Sequence, residues 1–119
     1  MIQTNVPSRG QVWEIRFDPS VGAEIQKIRP AVVMSVDSVG RLPLRIVVPI
    51  TDWNPSFAGY PWFVRLPANS TNGLSKDSGA DGFQVKSVSV GRFVSLRGTL
   101  TDRQLDDIAS VIALCVGAP

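Results

Sequence analysis

The chain of 119 residues contains no histidine and a single cysteine, Cys115. Without histidine, Ser-His-Asp and Cys-His hydrolytic machinery is excluded. One cysteine excludes an intramolecular disulfide and a cysteine-based zinc site, and suits a reducing compartment. No apolar run approaches the roughly 20 residues needed to cross a bilayer. The opening residues, MIQTNVPSRG, lack the long apolar stretch of a secretory signal, so a cytoplasmic protein is expected. There is no G-x-x-x-x-G-K-[ST] or G-x-G-x-x-G segment either, which leaves nucleotide-cofactor binding without support. The acids are scattered, and Asp102, Asp106 and Asp107 read as the solvated face of a helix. A metal-dependent nuclease wants several convergent carboxylates, and no such spacing occurs. Neither a metal nor a cofactor is expected.

What is present suffices for one domain over residues 1–119, with a hydrophobic fraction of 44% to build its core. Net charge is only +2, but nine of the twelve cations are arginine. The guanidinium is the better fork for phosphate and stacks on bases. A small excess of arginine is more often a solvated surface, so this is a hint of nucleic acid and no more.

Short segments of strand character follow one another closely. Residues 12–18 alternate, with Trp13, Ile15 and Phe17 pointing to a core. Asp18-Pro19-Ser20-Val21-Gly22 breaks that strand, and a loop carries Glu24 and Lys27 to Arg29-Pro30. Pro30 forces Arg29 into extended geometry, and residues 31–35 follow as a buried strand. Residues 44–50, 62–66, 84–90 and 92–96 are predicted as further strands. Residues 51–61 read as a structured loop with three aromatics, and residues 69–82 as a mobile surface segment. Residues 101–104 fit a capping box, opening a helix whose apolar face is Leu105, Ile108, Ala109, Ile112, Cys115 and Val116, with Gly117 as its stop. Cys115 on that face reads as a buried core thiol. The sum is a mainly β (α+β) fold, a small curled barrel with a C-terminal helix covering one opening or face.

If the second and third strands are antiparallel neighbours, Arg29 at the start of one meets Thr51 at the end of the other. A guanidinium beside a hydroxyl makes a phosphate receptor. Spacing alone leaves the plainer alternative standing: Arg29 as a surface strand-starter and Thr51 as a turn residue.

A set of fragments in order carries more. Arg9-Gly10-Gln11-Val12-Trp13, Asp18-Pro19, Gly22-Ala23-Glu24, Arg29-Pro30-Ala31-Val32-Val33, Pro49-Ile50-Thr51, Gly59-Tyr60-Pro61, Gln84-Val85-Lys86-Ser87-Val88 and Gly98-Thr99-Leu100 span almost the whole chain. In that order the chain resembles the MazF/PemK toxins of bacterial toxin–antitoxin systems. The resemblance implies an SH3-like barrel of the CcdB/PemK kind, homodimeric, acting as a metal-independent endoribonuclease on single-stranded RNA and silenced by an antitoxin with a disordered acidic tail. It implies Arg29 and Thr51 as the catalytic pair, with Glu24 as the acidic loop residue. Base recognition falls to the loops: Trp53, Phe57 and Tyr60 are candidates to stack on bases, with Trp62 assigned to the core and Gln84 a further RNA contact. Lys27, Arg65 and Lys86 are candidates to track the phosphate backbone. Two departures from the family pattern stand out: glycines at 79 and 82, which should weaken any strand there, and Phe83 where the family carries an acid. The alternatives are a CcdB-like gyrase poison on the same barrel and a non-cleaving SH3-like binding module, since fold does not fix function.

Overall fold

A computed structural model describes residues 6–17, 22, 27–39 and 42–119. Among the described residues, seven antiparallel strands and one α-helix make up the fold: β1 (Gln11–Arg16), β2 (Ile28–Val33), β3 (Leu44–Asp52), β4 (Phe63–Leu66), β5 (Ser78–Asp81), β6 (Lys86–Ser89), β7 (Phe93–Thr99) and α1 (Asp102–Cys115). The order across the sheet is β4-β5-β3-β2-β1-β7, with β6 also on β3. Among the described residues no ladder joins β4 to β7, so the expected barrel is not closed by strand pairing.

The central strands are apolar on both sides because two cores cover them. Val12, Val32, Val48 and Ile50 face one core with Leu66, Leu100, Leu105 and Ile108. Their neighbours in sequence, Trp13, Ile15, Ala31, Val33 and Val47, face the other with Phe17 and Val88. This is why residues 31–33 and 46–50 read as near-continuous apolar runs rather than strict alternation.

β3 is the hub. Its first half pairs with β6, from Leu44 opposite Ser89 to Val47 opposite Lys86. Its last three residues pair with β5 instead, from Ile50 opposite Ala80 to Asp52 opposite Ser78. Pro49 falls between these two ladders. Proline has no N–H to donate, so sheets accommodate it where pairing is interrupted.

The helix begins as predicted: the Thr101 hydroxyl accepts from the Gln104 amide at 3.1 Å, and the Gln104 side chain accepts from the Thr101 amide at 2.9 Å. Gly117 ends it with φ +70°. The apolar face is narrower than expected. Leu105 and Ile108 are buried and Ile112 packs on the core, but Ala109 and Val116 are exposed and Cys115 is only half-buried.

The expectation of a mobile segment over 69–82 is corrected by the structure. Asn72 is 1% exposed. Its side chain accepts from the Asn69 and Leu74 amides at 3.1 and 3.0 Å and donates to the Pro67 carbonyl at 2.9 Å. Residues 78–81 form β5, buried along its whole length between β3 and β4. Glycines serve close approach here. A Cβ on Gly98 would lie 2.2 Å from the Thr71 carbonyl oxygen, and one on Gly73 (φ +68°) 2.2 Å from that of Arg97. The turn is pressed backbone to backbone onto β7, where the Thr99 amide donates to the Thr71 carbonyl at 3.0 Å. Gly98→Ala should therefore destabilise the protein by about 1–3 kcal/mol, the range for forced overpacking. Gly91→Ala, where the nearest atom to a new Cβ is 3.7 Å away, should stay within about 0.5 kcal/mol. Urea unfolding of the two variants side by side checks this.

Candidate active site

Strand register brings the two sequence candidates together. Arg29 on β2 stands opposite Ile15 on β1. On the other edge of β2, Ala31 stands opposite Pro49. Carrying the same register two residues beyond that last rung sets Arg29 level with Thr51. Thr51 is in turn opposite Gly79, and Gly79 opposite Arg65. Opposed residues of antiparallel strands share a face. Arg29, Thr51 and Arg65 therefore stand in one row across the sheet, with the glycine as a gap between the last two.

Trp53 lies two residues beyond Thr51 and packs over that gap: a Cβ on Gly79 would meet the Trp53 and Phe63 rings at 3.1 Å. The Arg65 guanidinium sits 5.1 Å from the Trp53 ring centre. It also reaches Asp77 at 3.5 Å, with both side chains more than half exposed, a pairing worth little in water. Among the described residues, no ion pair engages Arg29.

Arg29 and Thr51 line a cavity of about 300 Å³ with Asp52, Ser75, Ser78 and Leu74. Glu14 and Arg97 line it too, and these two were missed by sequence reasoning. They are 83 residues apart and meet only because β1 pairs with β7. Glu14 did have a signal: it is the one acidic residue within an otherwise core-forming strand.

Of the remaining candidates, none of the described ones lines this cavity. Glu24 is outside the described residues. Lys27 has φ +64° and its carbonyl accepts from the Phe17 amide at 2.8 Å. Lys86 lines a second cavity, of about 240 Å³, with Phe17, Ser87, Ser89 and Arg92, and its ammonium is 5.6 Å from the Phe17 ring centre. The Gln84 side-chain amide donates to Asp81 at 3.2 Å. The aromatics pack on one another. Phe57 stacks on Phe63 at 3.9 Å and meets Trp53 edge-on at 5.6 Å. Tyr60 stacks on Trp62 at 4.9 Å, and Trp62 meets Phe83 edge-on at 5.9 Å. The assignment of Trp62 to the core is corrected: it is half-buried between Tyr60 and an exposed Phe83. Among the described residues, no three His, Cys, Asp or Glu side chains gather closely enough to hold a metal ion.

Comparison with known proteins fits this architecture. Residues 8–116 match the family of PemK-like, MazF-like toxins of type II toxin–antitoxin systems, and the chain belongs to that family. It is 31% identical over 112 residues to endoribonuclease MazF9 of Mycobacterium tuberculosis, covering 89% of this chain and 92% of that protein. Its fold is similar to that of MazF from Deinococcus radiodurans, with TM-score 0.81, 24% identity and coverage of 96% and 99% of the two chains. It is also similar to an endoribonuclease of a mycobacterial species solved in complex with its cognate antitoxin, with TM-score 0.75, 18% identity and coverage of 95% and 97%.

Cys115, at the end of α1, stands apart from this cavity. Burial, and after it the charge of Asp81, push its thiol above the ordinary value. The thiolate is the nucleophile, so at neutral pH iodoacetamide should alkylate the folded protein more slowly than the urea-unfolded chain. The midpoint of the folded protein's rate against pH should lie above that of a free thiol. Mass spectrometry of the time course checks both.

Proposed function

We propose that this chain is an endoribonuclease toxin that cleaves single-stranded RNA at short sequences without a metal. Family membership supports the class. The cross-strand row of Arg29, Thr51 and Arg65 is the observation that carries the reading of the site.

The chemistry asks little of the protein beyond charge and position. The ribose 2′-oxygen loses its proton and bonds to the adjacent phosphorus. The bond from phosphorus to the 5′-oxygen breaks, and that oxygen takes up a proton. The products are a 2′,3′-cyclic phosphate and a 5′-hydroxyl. Negative charge grows on the phosphoryl oxygens during attack, where preorganised donors are most effective. Arg29 supplies a planar, permanently charged fork and Thr51 a hydroxyl donor. A guanidinium surrenders its proton very reluctantly, so Arg29 acts here through its charge. Glu24 is proposed as the base that receives the 2′-proton.

Arg65 and Trp53 extend the site along the strand of RNA. The Arg65–Asp77 pair is exposed and weak, and a phosphate competes with it on good terms. Trp53 and Tyr60 supply faces for bases, with stacking worth about 1–3 kcal/mol each. Phe57, with one face already against Phe63, buttresses Trp53. Lys86 pairs with Val47, four residues before Thr51 on β3, or about 13 Å away along the strand. That separation suits a phosphate further along the chain, and Lys27 and Gln84 are proposed as other outlying contacts. The partner that silences the enzyme is an antitoxin with a disordered acidic tail, which would compete with RNA for the same cations. The protein is proposed to act as a homodimer.

The decisive experiment incubates pure protein with a long RNA in EDTA. Cleavage leaving cyclic-phosphate ends is expected, and a substrate carrying 2′-deoxyribose at the scissile position should stay intact. Arg29→Ala and Thr51→Ala should each lose at least about 100-fold in kcat, the scale for removing one oxyanion donor, while melting within a few degrees of the parent. An intact RNA with the parent protein would favour a gyrase poison or a plain binding module. Unfolded variants would leave Arg29 and Thr51 without support.

A further inference from the structure

Arg97 on β7 and Glu14 on β1 meet at 2.6 Å through Nη1 and Oε2. Their side chains are only 25% and 23% exposed, so the pair is shielded from water more than an ordinary surface bridge. The other two nitrogens of the same guanidinium, Nε and Nη2, donate to the Gly73 carbonyl at 3.0 and 2.6 Å. One fork thus ties together two strands and the turn at residue 73. Lysine, with one compact head, cannot spread its donors in this way.

The tied segments are two walls of a single cavity. Leu74 and Ser75 follow Gly73 directly and line the depression that also holds Arg29 and Thr51. Glu14 stands opposite Pro30, the residue after Arg29. Gly73 approaches β7 so closely that a Cβ would strike the Arg97 carbonyl oxygen. The turn is therefore seated against the very residue whose side chain holds it.

We infer that Glu14 and Arg97 are positioning residues for RNA cleavage. They set the separation between the Leu74–Ser75 wall and the Arg29–Thr51 edge, and so fix where the scissile phosphate rests. The inference rests on the reading of Arg29 and Thr51 as the reacting pair. A reaction that depends on alignment is sensitive to small shifts: a misplacement of about 1 Å can cost 100-fold in rate.

The test uses the full chain with Arg97→Lys, Glu14→Gln, Glu14→Ala and Thr51→Ala. Arg97→Lys keeps the charge but gives up the fork, and is expected to lower kcat on RNA by about 10- to 100-fold. KM should move less than about threefold, because the cations that hold the strand remain. Glu14→Gln, which keeps an acceptor for Nη1, should retain more activity than Glu14→Ala. All variants should keep the parent's urea midpoint closely enough to be fully folded in the assay. Should Arg97→Lys not fold, the Glu14→Gln and Glu14→Ala comparison decides. If Thr51→Ala is inactive while Arg97→Lys and Glu14→Ala cleave like the parent, the clamp is overturned and the reacting pair stands. If Thr51→Ala cleaves normally, the reacting pair falls and the clamp with it. Activity losses that merely follow the unfolded fraction also overturn the inference.

Discussion

The register between β2 and β3 is the constraint on which the rest of the molecule depends. Their central residues are buried on both faces: Val32, Val48 and Ile50 belong to one core and Ala31, Val33 and Val47 to the other. A slip of one residue would exchange the two sets completely. Arg29 and Thr51 sit at the open end of the same ladder and share its phase with Ala31, Pro49 and Val47. Packing deep in the molecule thereby fixes which side of the sheet the guanidinium and the hydroxyl occupy. Two prolines help to fix where the ladders stop. Pro30 lies just outside the last rung of β2 on β3, and Pro49 lies where β3 changes partner from β6 to β5.

A net charge of +2 would not by itself gather a polyanion. What matters is where the charges are and how firmly they are engaged. Arg45 is 7% exposed and donates to the carbonyls of Pro7, Leu42 and Leu44, so it serves the fold. Arg97 is likewise committed to Glu14 and Gly73. Among the described residues, Arg65 is held only by an exposed carboxylate at 3.5 Å and by the Trp53 face. Lys76 has a similarly exposed partner in Asp52 at 3.7 Å. Exposed pairs of this kind are screened by salt and worth at most about 1 kcal/mol. Such pairs yield to a phosphate while the inner ones persist, so the surface can change partner without disturbing the scaffold.

Much of the scaffold was legible in the chain because local chemistry and tertiary burial agree there. The capping box at Thr101 and Gln104 names its own helix start, and the Val- and Ile-rich runs name β2 and β3. Failures came where a residue's role depends on a distant neighbour. Gly73 looks like looseness in a list of residues, yet it and Gly98 are each required by a backbone passing 2.2 Å from where a Cβ would be. β5 is short and glycine-containing, and its strand character comes from being paired on both edges rather than from propensity. Trp62 was misread because its partners, Tyr60 and Phe83, assemble only once β4 and the turn at 82–84 are folded. Family resemblance points to Arg29 and Thr51, and the expected adjacency of the second and third strands is present as the pairing of β2 with β3. Glu14 and Arg97, 83 positions apart, had no comparable pointer.

The missing histidine then has a physical reading under the proposed chemistry. Histidine is the one side chain whose unperturbed titration falls between pH 5 and 8, and enzymes that must shuttle protons at neutral pH favour it. Where the nucleophile belongs to the substrate, the protein must align it, stabilise the growing charge, and move the protons of the 2′- and 5′-oxygens, the first of which is proposed to go to Glu24. A fixed guanidinium carries out the second at every physiological pH, because it does not titrate there. Alignment is a matter of rigidity, and the elements around the cavity are rigid for stated reasons: β3 is paired along both edges, the turn at 73 is pressed onto β7, and a buried asparagine closes the 67–74 loop on itself. Under the proposed chemistry, Arg29 and Thr51 would stabilise charge by preorganisation while Glu24 takes the proton, a division of labour open to a chain without histidine.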